Sequence, residues 1–238
     1  MTKASLRRAV ADRLKEMGYE SILLQSNGVA ERIRELKAYK DSSRIGLYMH
    51  MNIEKKIPRK NGRNVEIRTD KIIRNAFEDG KQVFLPRIGK YSELSEQLQD
   101  LFKSSQADVE SDYTPSTMIR MIEVYHDDID VMTSDGNESH DFNIHEPETG
   151  QDALEGQGLD LIIVPGLVFN PSKQRIGRGK GFYDNFITLH DAWSVRTGHN
   201  RPLLVGVAFE EQLIHTEFPL EFHDRTLDIV ITNQSLYK

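Results

Sequence analysis

Residues 159–186, LDLIIVPGLVFNPSKQRIGRGKGFYDNF, limit what this chain can fold into more than any other stretch. The apolar run from Leu159 to Val164 reads as a buried strand that ends at Pro165. A loop follows in which Gly177, Gly179 and Gly181 alternate with Arg178 and Lys180, with Lys173 and Arg175 just before them. Phe182, Tyr183 and Asp184 then open a predicted helix. Glycines let the backbone fold back with its N–H groups exposed, which makes a concave site for phosphate oxygens. A helix N-terminus adds partial positive charge, and four cationic side chains add whole charges. In a chain of net charge −6, such a positive island points to a bound polyphosphate. The competing interpretation is a solvated basic turn. The spacing is neither a Walker loop, because Gly181 and Phe182 follow Lys180, nor the G-x-G-x-x-G dinucleotide fingerprint.

The 238 residues suffice for one large domain or two small ones, and 38% apolar with 29% charged residues fits a soluble globular protein. No stretch approaches the roughly 18 uninterrupted apolar residues of a membrane span. The absence of cysteine excludes disulfides, thiolate zinc sites and a cysteine nucleophile. The acidic balance argues against a nucleic-acid partner. Lys3, Arg7, Arg8 and Arg13 resemble a basic transit segment, but Asp12 and Glu16 interrupt it and no apolar signal core follows, so a cytoplasmic protein is expected.

Along the chain, Leu6, Val10, Leu14 and Met17 form one apolar stripe and predict a helix over 3–17. Helical character continues over 29–40. Strands are predicted at 45–49, 83–86 (ended by Pro86), 118–124, 159–164, 203–208 and 227–232. Helices are predicted at 69–79, capped by Thr69 and closed by Gly80, at 92–103, and from about 182. This alternation implies one α/β domain over 1–238 with a mainly parallel sheet. The basic segment 52–64 and the acidic segment 127–157 are expected to be irregular connections.

Several residues could carry chemistry. Lys3 and Arg7 share one helix face near its N-terminus, where cations oppose the dipole unless an anion is near. Glu66 stands at a strand-to-helix connection, where a carboxylate also serves simply to start a helix. Asp184 follows the basic loop, where a carboxylate can hold Mg²⁺ beside phosphates or merely balance the arginines. His223–Asp224 precedes the last strand and could be an ordinary local hydrogen bond.

Taken together, VPGLVFN and RIGRGKGFYD closely resemble the signature of the 5-formyltetrahydrofolate cyclo-ligase family, which is PG-x-x-F-D followed by R-L-G-R-G-K-G-Y-Y-D. Other landmarks fall in the family's order: Lys3 and Arg7; Glu66 and Thr69; Gly80 to Arg87; Ile144, Glu146 and Pro147; Gly206 to Gln212; and His223, Asp224 and Asp228. The resemblance implies a three-layer sandwich with a mainly parallel central sheet flanked by helices, similar to the sugar-phosphate isomerase and CoA-transferase-like architecture. It implies ATP- and Mg²⁺-dependent closure of 5-formyltetrahydrofolate to 5,10-methenyltetrahydrofolate by a ligase.

Carried over position by position, Lys3 and Arg7 would touch ATP, and Arg175 to Tyr183 (Gly177, Arg178, Gly179, Lys180, Gly181 and Phe182 between them) would cradle its phosphates. Asp184 and Asp224 would hold Mg²⁺. Arg7, Met49, Glu66 and Phe142 would line the folate pocket. Arg178 and Lys180 would stabilise the transferring phosphoryl group, and Tyr183 would position substrate. The expected partner is a small molecule, the folate with or without a polyglutamate tail, and the expected assembly is a monomer or weak homodimer. A mitochondrial pool stays open, although transit cleavage would remove Lys3. Asn170 stands where the family has aspartate, Phe182 replaces a tyrosine, and the 52–64 and 194–201 segments are longer than usual. A non-catalytic nucleotide- or folate-binding regulatory module and a sugar-phosphate isomerase remain as alternatives.

Overall fold

The computed structural model describes residues 2–51, 62–106, 114–127, 146–221 and 224–238; Phe142, His223 and most of the 52–64 segment lie outside them. In chain order run α1 (Lys3–Lys15), α2 (Tyr19–Glu35), α3 (Lys37–Asp41), β1 (Arg44–Gly46), α4 (Asp70–Glu78), β2 (Gln82–Lys90), α5 (Glu96–Ser105) and β3 (Thr117–Val124). Then come β4 (Leu161–Val164), β5 (Val168–Phe169), β6 (Arg175–Ile176), α6 (Phe182–Thr197), β7 (Leu203–Val207), β8 (Ile229–Ile231) and β9 (Leu236–Tyr237).

One seven-stranded sheet has the order β3-β2-β1-β4-β7-β8-β9, and β5 pairs with β6 in a small separate hairpin. The inner strands β2, β1, β4, β7 and β8 are parallel, while β3 and β9 close the two edges antiparallel. From β1 the chain builds outward through β2 and β3, then returns to place β4 on the other flank of β1. The strand order therefore reverses between β1 and β4. In an open α/β sheet that switch point leaves a crevice outside the carboxyl ends of the strands.

Burial on both faces explains the near-continuous apolar composition of the central strands. Leu161 and Ile163 enter a core shared with Leu6, Val10 and Leu14 of α1, Ile22 and Val29 of α2, and Ile72 of α4. Their neighbours Ile162 and Val164 enter a second core with Leu98 and Phe102 of α5 and Phe186 and Trp193 of α6. The result is the expected helix–sheet–helix sandwich.

Local differences from the sequence expectation have physical causes. The helix predicted over 29–40 begins earlier, at Tyr19, and breaks at Leu36, whose extended ψ of 132° separates α2 from α3. The strand at 45–49 stops at Gly46, and the next residues leave the ladder. The strand predicted to end at Pro86 runs on to Lys90. The Phe84 carbonyl accepts from Leu47 N–H, so residues 84 and 86 face β1. Because β1 has already ended there, Pro86 lacks its N–H on an open edge and costs no ladder bond. Thr69 stands at the N-cap of α4 without capping it, because its hydroxyl donates to the Tyr48 carbonyl at 2.6 Å instead.

His190, on α6, is fully buried between the sheet and Trp193. Its Nε2 accepts Leu159 N–H at 2.9 Å, which leaves Nδ1 to donate to Ser194 Oγ at 3.2 Å. Burial holds its pKa down at about 4, against 6.5 for a free ring. Protons therefore bind the unfolded chain more tightly. The stabilisation is whole above pH 6.5 and is lost as pH falls toward 4, an effect on the order of 3 kcal/mol. Thermal midpoints measured across this range should fall with acid, and His190→Gln, which cannot titrate, should flatten that part of the curve.

Candidate active site

Three stretches meet at the switch-point crevice: residues 47–51 after β1, the β5–β6 hairpin with its glycine loop after β4, and the first turn of α1. The hairpin organises the second of these. Asn170, only 1% exposed, donates through Nδ2 to Gln174 Oε1 (2.6 Å) and to the Thr216 carbonyl (3.2 Å), and its Oδ1 accepts from Gln174 N–H (2.9 Å). Only an amide can donate and accept in this way, which gives the departure from the family's aspartate a structural role. Lys173 forms the turn, with φ of 65°, and its carbonyl accepts Leu227 N–H at 3.0 Å. Gln212 steadies the exit of β4, donating to the carbonyls of Gly166 (2.9 Å) and Leu167 (3.2 Å).

Beyond β6 the loop turns through left-handed backbone at Gly179 (φ 105°) and Gly181 (φ 69°), and Gly181 caps α6. Side chains are strained in that region, so glycine there follows from the path of the chain. α1 lies beside the loop: Arg7 Nε donates to the Gly177 carbonyl at 2.8 Å, and the Arg7 guanidinium lies against Gly179. Lys180 sits over the Phe182 ring, 5.6 Å from its centroid.

Three ion pairs hold the crevice together. Arg178 Nη2 meets Glu66 Oε1 at 2.6 Å, Arg175 Nη2 meets Asp184 Oδ1 at 2.6 Å, and Lys3 Nζ meets Asp224 Oδ2 at 2.5 Å. Each joins a cation expected at phosphate to a carboxylate expected at metal or folate. Burial pushes the Glu66 carboxyl above the usual carboxylate range, and the Arg178 guanidinium pulls it part of the way back. The other Glu66 oxygen accepts Met51 N–H at 3.4 Å. Met49 is buried in the core against which Tyr183 packs. The Tyr183 hydroxyl, raised by burial and held neutral, and Arg175 Nε are buried with no hydrogen-bond partner among the described residues. Two such donors cost about 1–3 kcal/mol each, which a bound acceptor would offset.

Sequence reasoning gave no role to Arg225. Its backbone N–H reaches Asp184 Oδ1 at 3.3 Å, and its guanidinium donates to Thr188 Oγ1 at 2.8 and 3.1 Å, tying the first turns of α6 to the segment after Asp224. A lone arginine after Asp224 has no pattern that would reveal this. Among the described residues no cluster of three or more His, Cys, Asp or Glu side chains could hold a metal by itself. Asp184 and Asp224 nevertheless suit Mg²⁺, which is commonly held by one or two carboxylates plus substrate phosphates. No helix among the described residues is long and apolar enough to cross a membrane.

These features define an open α/β protein whose switch-point crevice is lined by paired cations and carboxylates. The chain belongs to the 5-formyltetrahydrofolate cyclo-ligase family, whose sequence profile matches residues 1–233. It is 29% identical to the 5-formyltetrahydrofolate cyclo-ligase of Saccharomyces cerevisiae, over 97% of this chain and 94% of that one. It is 28% identical to the Mus musculus cyclo-ligase, over 98% and 94%. The fold superposes on the NMR structure of a 5,10-methenyltetrahydrofolate synthetase from Aquifex aeolicus with a TM-score of 0.63 at 21% identity, covering 100% of this chain and 93% of that one.

The Glu66–Arg178 pair should respond asymmetrically to substitution. Arg178→Ala leaves a buried carboxylate without its partner and should destabilise by about 2 kcal/mol, whereas Glu66→Gln should cost far less. Denaturant unfolding of the two variants at pH 7 measures the difference.

Proposed function

We propose that this chain is a ligase that closes the ring of 5-formyltetrahydrofolate to 5,10-methenyltetrahydrofolate, consuming ATP with Mg²⁺ and releasing ADP and phosphate. The observation that carries this reading is the set of three ion pairs. They bring Lys3, Glu66, Arg175, Arg178, Asp184 and Asp224, scattered over more than 220 positions, to one crevice.

The chemistry fits the groups present. A formamide oxygen is a poor leaving group, so the γ-phosphoryl group of ATP is transferred to it. N10 then attacks the formyl carbon, and loss of phosphate with its C–O bond, together with the N10 proton, leaves the methenyl bridge. Phosphoryl transfer needs positioning and charge neutralisation more than a protein nucleophile. Arg178 and Lys180 neutralise the transferring group, and the loop from Arg175 to Phe182, with Lys3 and Arg7, holds the remaining phosphates. Asp184 and Asp224 would hold Mg²⁺, which when bound neutralises phosphoryl oxygens. Met49 and Glu66 face the folate, and the unpartnered Tyr183 hydroxyl orients it. We read the chain as one domain acting as a monomer or weak homodimer in the cytoplasm, on folate with or without a polyglutamate tail.

Purified protein given 5-formyltetrahydrofolate and Mg²⁺ should develop the near-ultraviolet absorbance of the methenyl product only when ATP is added. ATP or folate binding without turnover would instead favour the regulatory module. Lys180→Ala should abolish turnover with an unchanged thermal midpoint, and near-normal rates would remove Lys180 from the mechanism. The site's cations and carboxylates are paired with one another, so Lys3, Arg175 and Arg178 would exchange carboxylate for the phosphates of ATP as Asp184 and Asp224 are freed for Mg²⁺. Calorimetry should therefore find each binding at least about tenfold more weakly alone than with the other, a coupling of at least about 1.4 kcal/mol.

A further inference from the structure

Past Gly46, residues 48–51 run beside residues 66–69 without a strand ladder, and side chains join the two segments. The Thr69 hydroxyl donates to the Tyr48 carbonyl at 2.6 Å, and the Tyr48 hydroxyl donates to the Ile67 carbonyl at 3.1 Å. His50 makes a two-way contact: its N–H donates to Thr69 Oγ1 at 3.2 Å, and its Nδ1 accepts Thr69 N–H at 3.2 Å. The ring is therefore neutral, with its proton on Nε2. His50 is 5% exposed and Thr69 is fully buried, so the Thr69 N–H depends on this acceptor.

Nε2 has no hydrogen-bond partner among the described residues, and its nearest carboxylate, Asp70 Oδ1, is 3.8 Å away. An apolar residue at position 50 would avoid that orphan but would strand the Thr69 N–H. Met49 is the residue before His50, and Glu66 lies three residues before Thr69. The clamp therefore fixes the backbone on both sides of Met49 and just after Glu66, the two side chains assigned to the folate.

We propose that His50 is a positioning residue for the folate half of the site, with its Nδ1 lone pair holding the Met49 and Glu66 segments in register. The phosphate-binding loop, carried by β6 and α6, makes none of the clamp's hydrogen bonds and meets the clamped segments through the Arg178–Glu66 pair. This rests on the folate assignment above, and the two are separable by experiment.

Steady-state rates with each substrate varied in turn test it. His50→Ala should raise the KM for 5-formyltetrahydrofolate about tenfold, the worth of one or two hydrogen bonds, while the KM for ATP and kcat stay within about threefold. His50→Asn, whose Oδ1 can take the place of Nδ1, should recover most of the loss. Thr69→Val, which removes the hydroxyl at constant shape, should shift the same KM. Should His50→Ala fail to fold, the contrast between His50→Asn and Thr69→Val carries the test. A lowered thermal midpoint with both KM values unchanged, equal shifts in both KM values, or an asparagine variant no better than alanine overturns the clamp. Absence of turnover in the unsubstituted protein overturns the functional reading itself.

Discussion

A buried carboxylate needs a cation, and Glu66 finds Arg178 on the far side of the switch point. Glu66 belongs to the segment that leads from β1 into α4, while Arg178 belongs to the loop that leaves the β5–β6 hairpin. The sheet places these two connections on either side of the switch point. A half-exposed guanidinium reaching a carboxylate that is 8% exposed ties the two halves of the crevice together. With Arg175–Asp184 and Lys3–Asp224, the same pairing draws in α6 and the first turn of α1. The charges proposed to meet ligand are held in place by one another. On the proposed reading that arrangement limits the reorganisation of the protein's own charges on binding, because they exchange partners that already hold them in place.

The support around these pairs is polar and local. Arg225 fixes Asp184 through its backbone and Thr188, Gln212 fixes the exit of β4, and Asn170 with Gln174 fixes the hairpin that carries Arg175. An aspartate at position 170 could accept Gln174 N–H but could not donate to the Thr216 carbonyl. The asparagine and Gln174 thus act as a pair, and the substitution that looked like a departure in the phosphate motif belongs to the scaffold behind it.

The legible parts of the sequence were those with local causes. The apolar run at 159–164, the stripe of Leu6, Val10 and Leu14, and the glycine spacing at 177–181 each carry their own physics, and each took its expected form. The strand through Pro86 was misplaced because its tolerance depends on where β1 ends, which is a fact about a neighbouring strand. The hairpin of β5 and β6 was missed because two-residue strands leave no periodic signal. The cap expected of Thr69 failed because a buried carbonyl, Tyr48, competed for its hydroxyl.

The residues that meet in the crevice were named by family resemblance and not by spacing. Lys3 and Asp224 are 221 residues apart, and nothing in either neighbourhood announces the other. His50 shows the same limit from the opposite side: in sequence it is one of eight histidines, indistinguishable from His190. In the structure the two part company. His190 spends both ring nitrogens on the fold, against Leu159 and Ser194, and can be understood as core. His50 spends one nitrogen on Thr69, and the other has no hydrogen-bond partner among the described residues. The orphan comes with the acceptor: the ring that leaves Nε2 without a partner among the described residues is the one that satisfies the buried Thr69 N–H and joins two irregular segments at the mouth of the crevice.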